Sequence, residues 1–115
     1  MVDRADDTKI LLADFGLCSD VDGAYLQSKC GSPGYMAPEL IHGPDYGTKV
    51  DIFSAGIILY ILLAGVAPFP GKTEDDVLHR NIKGEIFFPE KYWKSISPEA
   101  IDLVLKMTDN KPSSR

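Results

Sequence analysis

From Lys49 to Ala64 the chain reads Lys-Val-Asp-Ile-Phe-Ser-Ala-Gly-Ile-Ile-Leu-Tyr-Ile-Leu-Leu-Ala. Its apolar residues fall on every face of a helix, a pattern that predicts burial on all sides, in a protein core or in lipid. Thr48 is placed to cap the start, and the helix is expected to end near Gly65, ahead of Pro68. A spanning helix needs about 20 apolar residues, and this run is shorter, so the core reading is the stronger one. Thr73 followed by Glu74-Asp75-Asp76 opens a second helix with acidic residues in its first turn, where they complement the dipole. Val77, Leu78 and Ile82 supply its apolar face, and Gly84 ends it. Ser97-Pro98-Glu99 reads as a cap, a proline at the first helical position and an acidic neighbour, opening a helix to about Met107 with Ile101, Val104 and Leu105 on one stripe. Between these two helices, residues 85–95 form a loop whose Phe87, Phe88, Tyr92 and Trp93 are expected to pack inward.

Nearer the start, Met1-Val2 and Lys9-Ile10-Leu11-Leu12-Ala13 are short apolar runs around a polar stretch, which predicts two strands joined by a turn. Residues 14–38 are rich in Gly, Ser, Asp and Pro without a sustained period and read as a long ordered loop, of a length that in compact domains is usually functional or disordered. A short helix over Ala37 to His42 is expected to follow and to stop near Gly43-Pro44. The expected fold class is thus mainly α: a short β-hairpin, a long loop and about four helices.

Composition narrows the function. At 115 residues the chain is one domain at most, and 44% hydrophobic with 25% charged residues is ordinary for a soluble globular chain rather than a disordered tail. A net charge of -5 without a Lys/Arg cluster argues against a nucleic-acid surface, which requires basic groups facing phosphates. Cys18 and Cys30 have neither metal-ligand nor Cys-x-x-Cys spacing, and no signal peptide pattern opens the chain, so free thiols in a reducing, cytoplasmic setting are expected. Two motif-like stretches fail. Gly65 to Thr73 has one residue too many between its glycines for a phosphate loop and follows a helix, and in Asp20-Val21-Asp22-Gly23 the glycine comes too early for a calcium loop.

Asp14-Phe15-Gly16 directly after an apolar run, Gly31-Ser32-Pro33-Gly34-Tyr35-Met36, and Ala37-Pro38-Glu39 occur in that order. Together they resemble the activation segment of a eukaryotic Ser/Thr protein kinase catalytic domain. The resemblance continues through Asp51-Ile52-Phe53-Ser54-Ala55-Gly56, similar to the start of that family's central helix with Phe53 where Trp is usual, and through Pro68-Phe69, to Pro112-Ser113-Ser114-Arg115. Trp93-Lys94-Ser95-Ile96-Ser97 resembles a stretch frequent in the calcium/calmodulin-dependent kinase group. The chain then looks like part of the C-terminal lobe: a strand pair over 1–13, an activation segment over 14–39 and a helical part over 40–115.

The resemblance assigns roles residue by residue. It implies ATP and Mg²⁺ as cofactors, with Asp14 as the metal ligand and Ala13 lining the nucleotide pocket by position. Ser32 falls where Ser/Thr kinases carry a hydroxyl that contacts the catalytic loop, and Ser28 where many relatives are phosphorylated to order the segment. Glu39 and Arg115 would form the family's ion pair, and Asp51 would accept hydrogen bonds from catalytic-loop amides. The Gly-rich loop, the strand Lys, its Glu partner and the His-Arg-Asp loop with the catalytic base do not occur in these 115 residues, and on the family pattern Met1 falls just after that loop.

Two functions follow as expectations. The first is a fragment of an ATP-dependent enzyme that phosphorylates protein Ser/Thr, inactive alone because positioning groups are missing. The second is a non-catalytic interaction module or pseudokinase lobe. The expected partners are a protein substrate and the N-lobe and catalytic loop of the parent, with no nucleic acid and no membrane. Apolar surface normally covered by those parts is expected to drive self-association.

Overall fold

The computed structural model describes residues 9–20, 30–43 and 46–115. Among them the chain forms five α-helices, α1 (Pro38–His42), α2 (Lys49–Ala64), α3 (Glu74–Lys83), α4 (Glu90–Trp93) and α5 (Pro98–Met107), and a 3-10 turn over Pro112–Ser114. No strand occurs among the described residues: Ile10 and Tyr46 each make only an isolated bridge-type pairing. Most of the hairpin expected over 1–13 lies outside the described residues, and residues 11–13 follow Ile10 without regular structure.

Helix α2 is the axis of the molecule. One side of it packs Val50, Phe53 and Ile57 with Ala37, Leu40, Tyr46 and Phe69. Its C-terminal half puts Tyr60 against Trp93 and Val104. Tyr60, Phe88 and Trp93 form an aromatic trio with ring centroids 4.6 to 5.6 Å apart and tilted or edge-on planes, the arrangement that ring quadrupoles favour. The Tyr60 hydroxyl donates to the Phe87 carbonyl at 2.7 Å, so the buried phenol is paired. Gly65, at φ 69°, ends the helix by donating its N–H to the Ile61 carbonyl at 2.8 Å, a left-handed stop that glycine adopts without Cβ strain.

Two glycine-free local codes define the other long helices. The Thr73 hydroxyl accepts the Asp76 N–H while the Asp76 carboxylate accepts the Thr73 N–H, a complete capping box at the start of α3. Ser97 Oγ accepts the Ala100 N–H at 3.2 Å, with Pro98 at the first position of α5. Helix α5 crosses α2 at Gly56, where a Cβ would lie 2.8 Å from both Met107 Cβ and Thr108 Cγ2. Only a residue without a side chain lets the two backbones approach so closely.

Several sequence expectations are corrected. Thr48 has helical dihedrals and makes no side-chain cap. Asp51, Ala55, Ile58 and Leu62 are exposed, so α2 is not buried on all sides: their spacing of four, three and four residues is one continuous helical face. The cause is packing geometry, because α5 and the aromatic trio press on other faces of α2. Phe87 and Tyr92 are exposed while Trp93 alone of the four aromatics is fully buried, since the short helix α4 turns only one of its aromatic residues inward. Leu105 is exposed, because α5 directs Val104 and Ile101 to α2 and adjacent Leu105 points away.

Candidate functional site

Described residues between Asp14 and Ser54 line a cleft of about 380 Å³, among them Asp14, Cys18, Cys30, Ser32, Tyr46 and Asp51. Three of the residues singled out in the sequence, Asp14, Ser32 and Asp51, thereby face one space although 37 residues separate the first from the last. Ala13 is not among the lining residues, and Ser28 lies outside the described residues. A larger apolar groove of about 440 Å³, lined by Tyr60, Phe69, Phe87 and Tyr92 between the end of α2 and the end of α3, holds none of the singled-out residues.

Asp14 has φ 66°, the one positive φ at a non-glycine position among the described residues. Such a conformation is uncommon outside glycine, although aspartate tolerates it better than most residues. The exposed carboxylate accepts a long 3.4 Å bond from the Gly16 N–H, and the Phe15 carbonyl closes the next turn with the Cys18 N–H at 3.0 Å. This turn leaves the Asp14 oxygens otherwise available to the cleft. Among the described residues no group of three or more His, Cys, Asp or Glu is placed to hold a metal ion. The carboxylate that Asp14 presents at the cleft is the oxygen donor that Mg²⁺ takes, one or two protein carboxylates being completed by phosphate oxygens and water. In the same cleft, burial pushes the Tyr46 phenol above its ordinary pKa of 10.0, and the nearby Cys30 and Asp51 push it further in the same direction.

Past Ser32 the chain is pinned from two helices. Tyr35 N–H donates to the Ser32 carbonyl at 2.9 Å, closing a tight turn. The hydroxyl of Ser54 in α2 lies 2.8 Å from the Tyr35 carbonyl, and the amide of Asn81 in α3 donates to the Pro33 and Met36 carbonyls, each at 2.7 Å. Neither Ser54 nor Asn81 was singled out in the sequence. The only signal for Asn81 is its position, four residues after Val77 and beside Ile82 on the apolar side of the helix.

The loop then enters α1, and there Glu39 meets Arg115. Arg115 Nη1 and Nη2 reach the two carboxylate oxygens of Glu39 at 2.5 and 2.9 Å. The guanidinium also donates through Nε to the Asp109 carbonyl and lies 4.8 Å from the centroid of the Phe53 ring. Lys49 Nζ donates to the Arg115 carbonyl, tying the start of α2 to the same corner.

Comparison with known proteins agrees with this arrangement of motifs. A sequence model described as the protein kinase domain matches residues 1–115. Calcium/calmodulin-dependent protein kinase type 1 of Caenorhabditis elegans is 39% identical over 110 residues, covering 96% of this chain and 32% of that protein. Calcium-dependent protein kinase 4 of Arabidopsis thaliana is 44% identical over 112 residues, covering 96% of this chain and 22% of that protein. The serine/threonine-protein kinase DCLK1 of Rattus norvegicus is 48% identical over 98 residues, covering 84% of this chain and 22% of that protein. The chain thus spans a third or less of the length of these relatives.

Proposed function

This chain belongs to the protein kinase domain family, and from that premise we propose that the protein containing it transfers the γ-phosphate of ATP to serine or threonine of protein substrates. The observation that carries the reading is the convergence of Asp14, Ser32 and Asp51 on one cleft, beside the loop that α2 and α3 pin. Likeness to calcium/calmodulin-dependent and calcium-dependent kinases supports Ser/Thr substrates.

In this reading Asp14 holds Mg²⁺, which when bound supplies charge neutralisation for the transferred phosphoryl group. The chain's own residues position the rest. The turn at Asp14 to Gly16 aims the carboxylate into the cleft, and Ser32 presents a hydroxyl to the catalytic loop. Asp51, at the N-terminal turn of α2, accepts hydrogen bonds from catalytic-loop amides. The loop from Pro33 to Met36 holds the substrate chain, and the Glu39–Arg115 pair anchors that loop to the helices. Ser28 is the proposed site of an ordering phosphorylation. Since phosphoryl transfer is mainly positioning and charge stabilisation, the 115 residues by themselves, without a Gly-rich loop, a phosphate-binding Lys or a catalytic base, are expected to be inactive.

The test is phosphate transfer from labelled ATP to serine, threonine and tyrosine peptides by the full-length protein with Mg²⁺. Transfer to serine or threonine that is lost in Asp14→Asn, with folding retained, supports the reading. No transfer by the unaltered protein, or full activity in Asp14→Asn, overturns it, and the first result favours a non-catalytic interaction module instead.

A further inference from the structure

The side chain of Asn81 is completely buried in a helix whose other residues are charged or only partly buried. Its Nδ2 donates one proton to the Pro33 carbonyl and the other to the Met36 carbonyl, both at 2.7 Å. These are the two ends of the four-residue stretch that follows Ser32, and the stretch between them is held as well: the Ser54 hydroxyl lies on the Tyr35 carbonyl, and a Cβ added at Gly34 would meet Val77 of α3 at 3.5 Å. A carboxamide has two N–H donors and uses both here, so the distance between the two carbonyls is set by one rigid planar group. Hydroxyl, carboxylate and aliphatic side chains all lack that pair of donors. Asn81 Oδ1 is buried and accepts no hydrogen bond among the described residues, so the hydrogen bonds this side chain makes there are the two to the loop. The amide assignment is fixed by its surroundings, because the reverse orientation would set an oxygen against two carbonyl oxygens.

We infer that Asn81 is a positioning residue for the protein substrate: through its double hydrogen bond, helix α3 sets the shape of the Pro33–Met36 loop and thereby the binding of the substrate chain. The inference rests on the kinase reading above. It locates the determinant in a helix that carries none of the family motifs and does not line the cleft of Asp14, Ser32 and Asp51.

Asn81→Asp is nearly isosteric and replaces both donors with acceptors facing two carbonyls. Asn81→Leu keeps similar bulk and removes the donors. In the full-length protein either variant is expected to raise KM for a serine peptide about tenfold, with kcat and KM for ATP within about threefold of the unaltered enzyme. A general loss of stability would not separate the two KM values in this way. Hydrogen exchange supplies a readout independent of activity: the Tyr35 amide, bonded to the Ser32 carbonyl, is expected to exchange slowly in the unaltered protein and faster in Asn81→Asp. Unchanged peptide KM in a folded variant, or parallel rises in both KM values, overturns the inference. So does rapid Tyr35 exchange in the unaltered protein, a result that can be obtained even where neither variant folds. An unaltered protein without activity toward any peptide sinks the kinase reading instead, while the Tyr35 comparison still decides whether Asn81 holds the loop.

Discussion

Arg115 and Glu39 form a two-point ion pair across 76 residues of sequence, with the arginine side chain fully buried and the glutamate side chain 17% exposed. The parallel N–H donors of a guanidinium match a carboxylate in a way that lysine cannot. Removing the acid leaves a buried cation with, among the described residues, the Asp109 and Lys49 carbonyls and the Phe53 ring to compensate it. Glu39→Ala is therefore expected to destabilise the full-length protein by about 3 kcal/mol, the lower end of the range for stranding one partner of a buried pair. Arg115→Lys should recover only part of the loss suffered by Arg115→Ala. Denaturant unfolding of the variants measures both effects, and a Glu39→Ala protein as stable as the parent would show that the pair contributes nothing net.

The crossing of α2 and α5 makes a sharper demand. Gly56 faces Met107 Cβ and Thr108 Cγ2 with no room for a methyl group, and Thr108 is itself held by a 2.7 Å bond from its hydroxyl to the Val104 carbonyl. Relief by rotation of a flexible side-chain tip is not available, since the obstructing atoms lie close to the α5 backbone. Gly56→Ala is expected to cost about 1 to 3 kcal/mol by overpacking, despite the higher intrinsic helix propensity of alanine. A thermal melt in which Gly56→Ala matches or exceeds the parent would contradict the close packing of the two helices.

The capping box of α3 carries a pH signature. Hydrogen bonds from the Thr73 side chain and backbone, then from the Lys72 backbone, with Arg80 nearby, hold the Asp76 carboxyl below its ordinary 3.8. A carboxyl whose folded pKa is depressed adds stability above its unfolded pKa and loses it as pH falls through the folded value. Asp76→Asn should thus be less stable than the parent at neutral pH, and the difference should begin to shrink as pH drops past 3.8 and vanish below the folded pKa. Stability curves of the two proteins against pH test this directly. A difference that stays constant through the acid range would mean that charge on Asp76 plays no part.

Much of the helical half of the fold was legible because its boundaries are encoded by local chemistry. Gly65, the Thr73 box and Ser97-Pro98 mark helix ends through hydrogen bonds within a few residues, and the observed ranges agree with those marks. The residues that pin the loop were less visible. Asn81 reads as one more polar residue on a polar helix, and its role depends on two carbonyls more than 40 residues away that no local period reveals. The same limit explains Phe87, Tyr92 and Leu105: apolar character announces a tendency to bury, while the direction of each side chain is decided by how α4 and α5 sit on α2. The positive φ of Asp14 is likewise set by the turn it closes with Gly16 and was not indicated by residue type.

The exposed face of α2 leads to a last expectation about association. Ile58 and Leu62 are 50% and 75% exposed and share their face with Ala55 and Asp51, while Leu17 and Phe15 are also largely exposed. Burying a Leu or Ile side chain fully is worth roughly 1.5 to 3 kcal/mol, so two such residues one turn apart favour covering that face with any apolar partner, including another copy. A polypeptide of these 115 residues alone is expected to associate, with an apparent mass that rises with concentration in light scattering. Ile58→Lys combined with Leu62→Lys should shift it toward the monomer without loss of helical signal, because neither side chain belongs to the buried cores around Phe53 and Tyr60. Monomeric behaviour of the unaltered polypeptide at high concentration, or association undiminished in the double variant, would place the adhesive surface elsewhere or remove it.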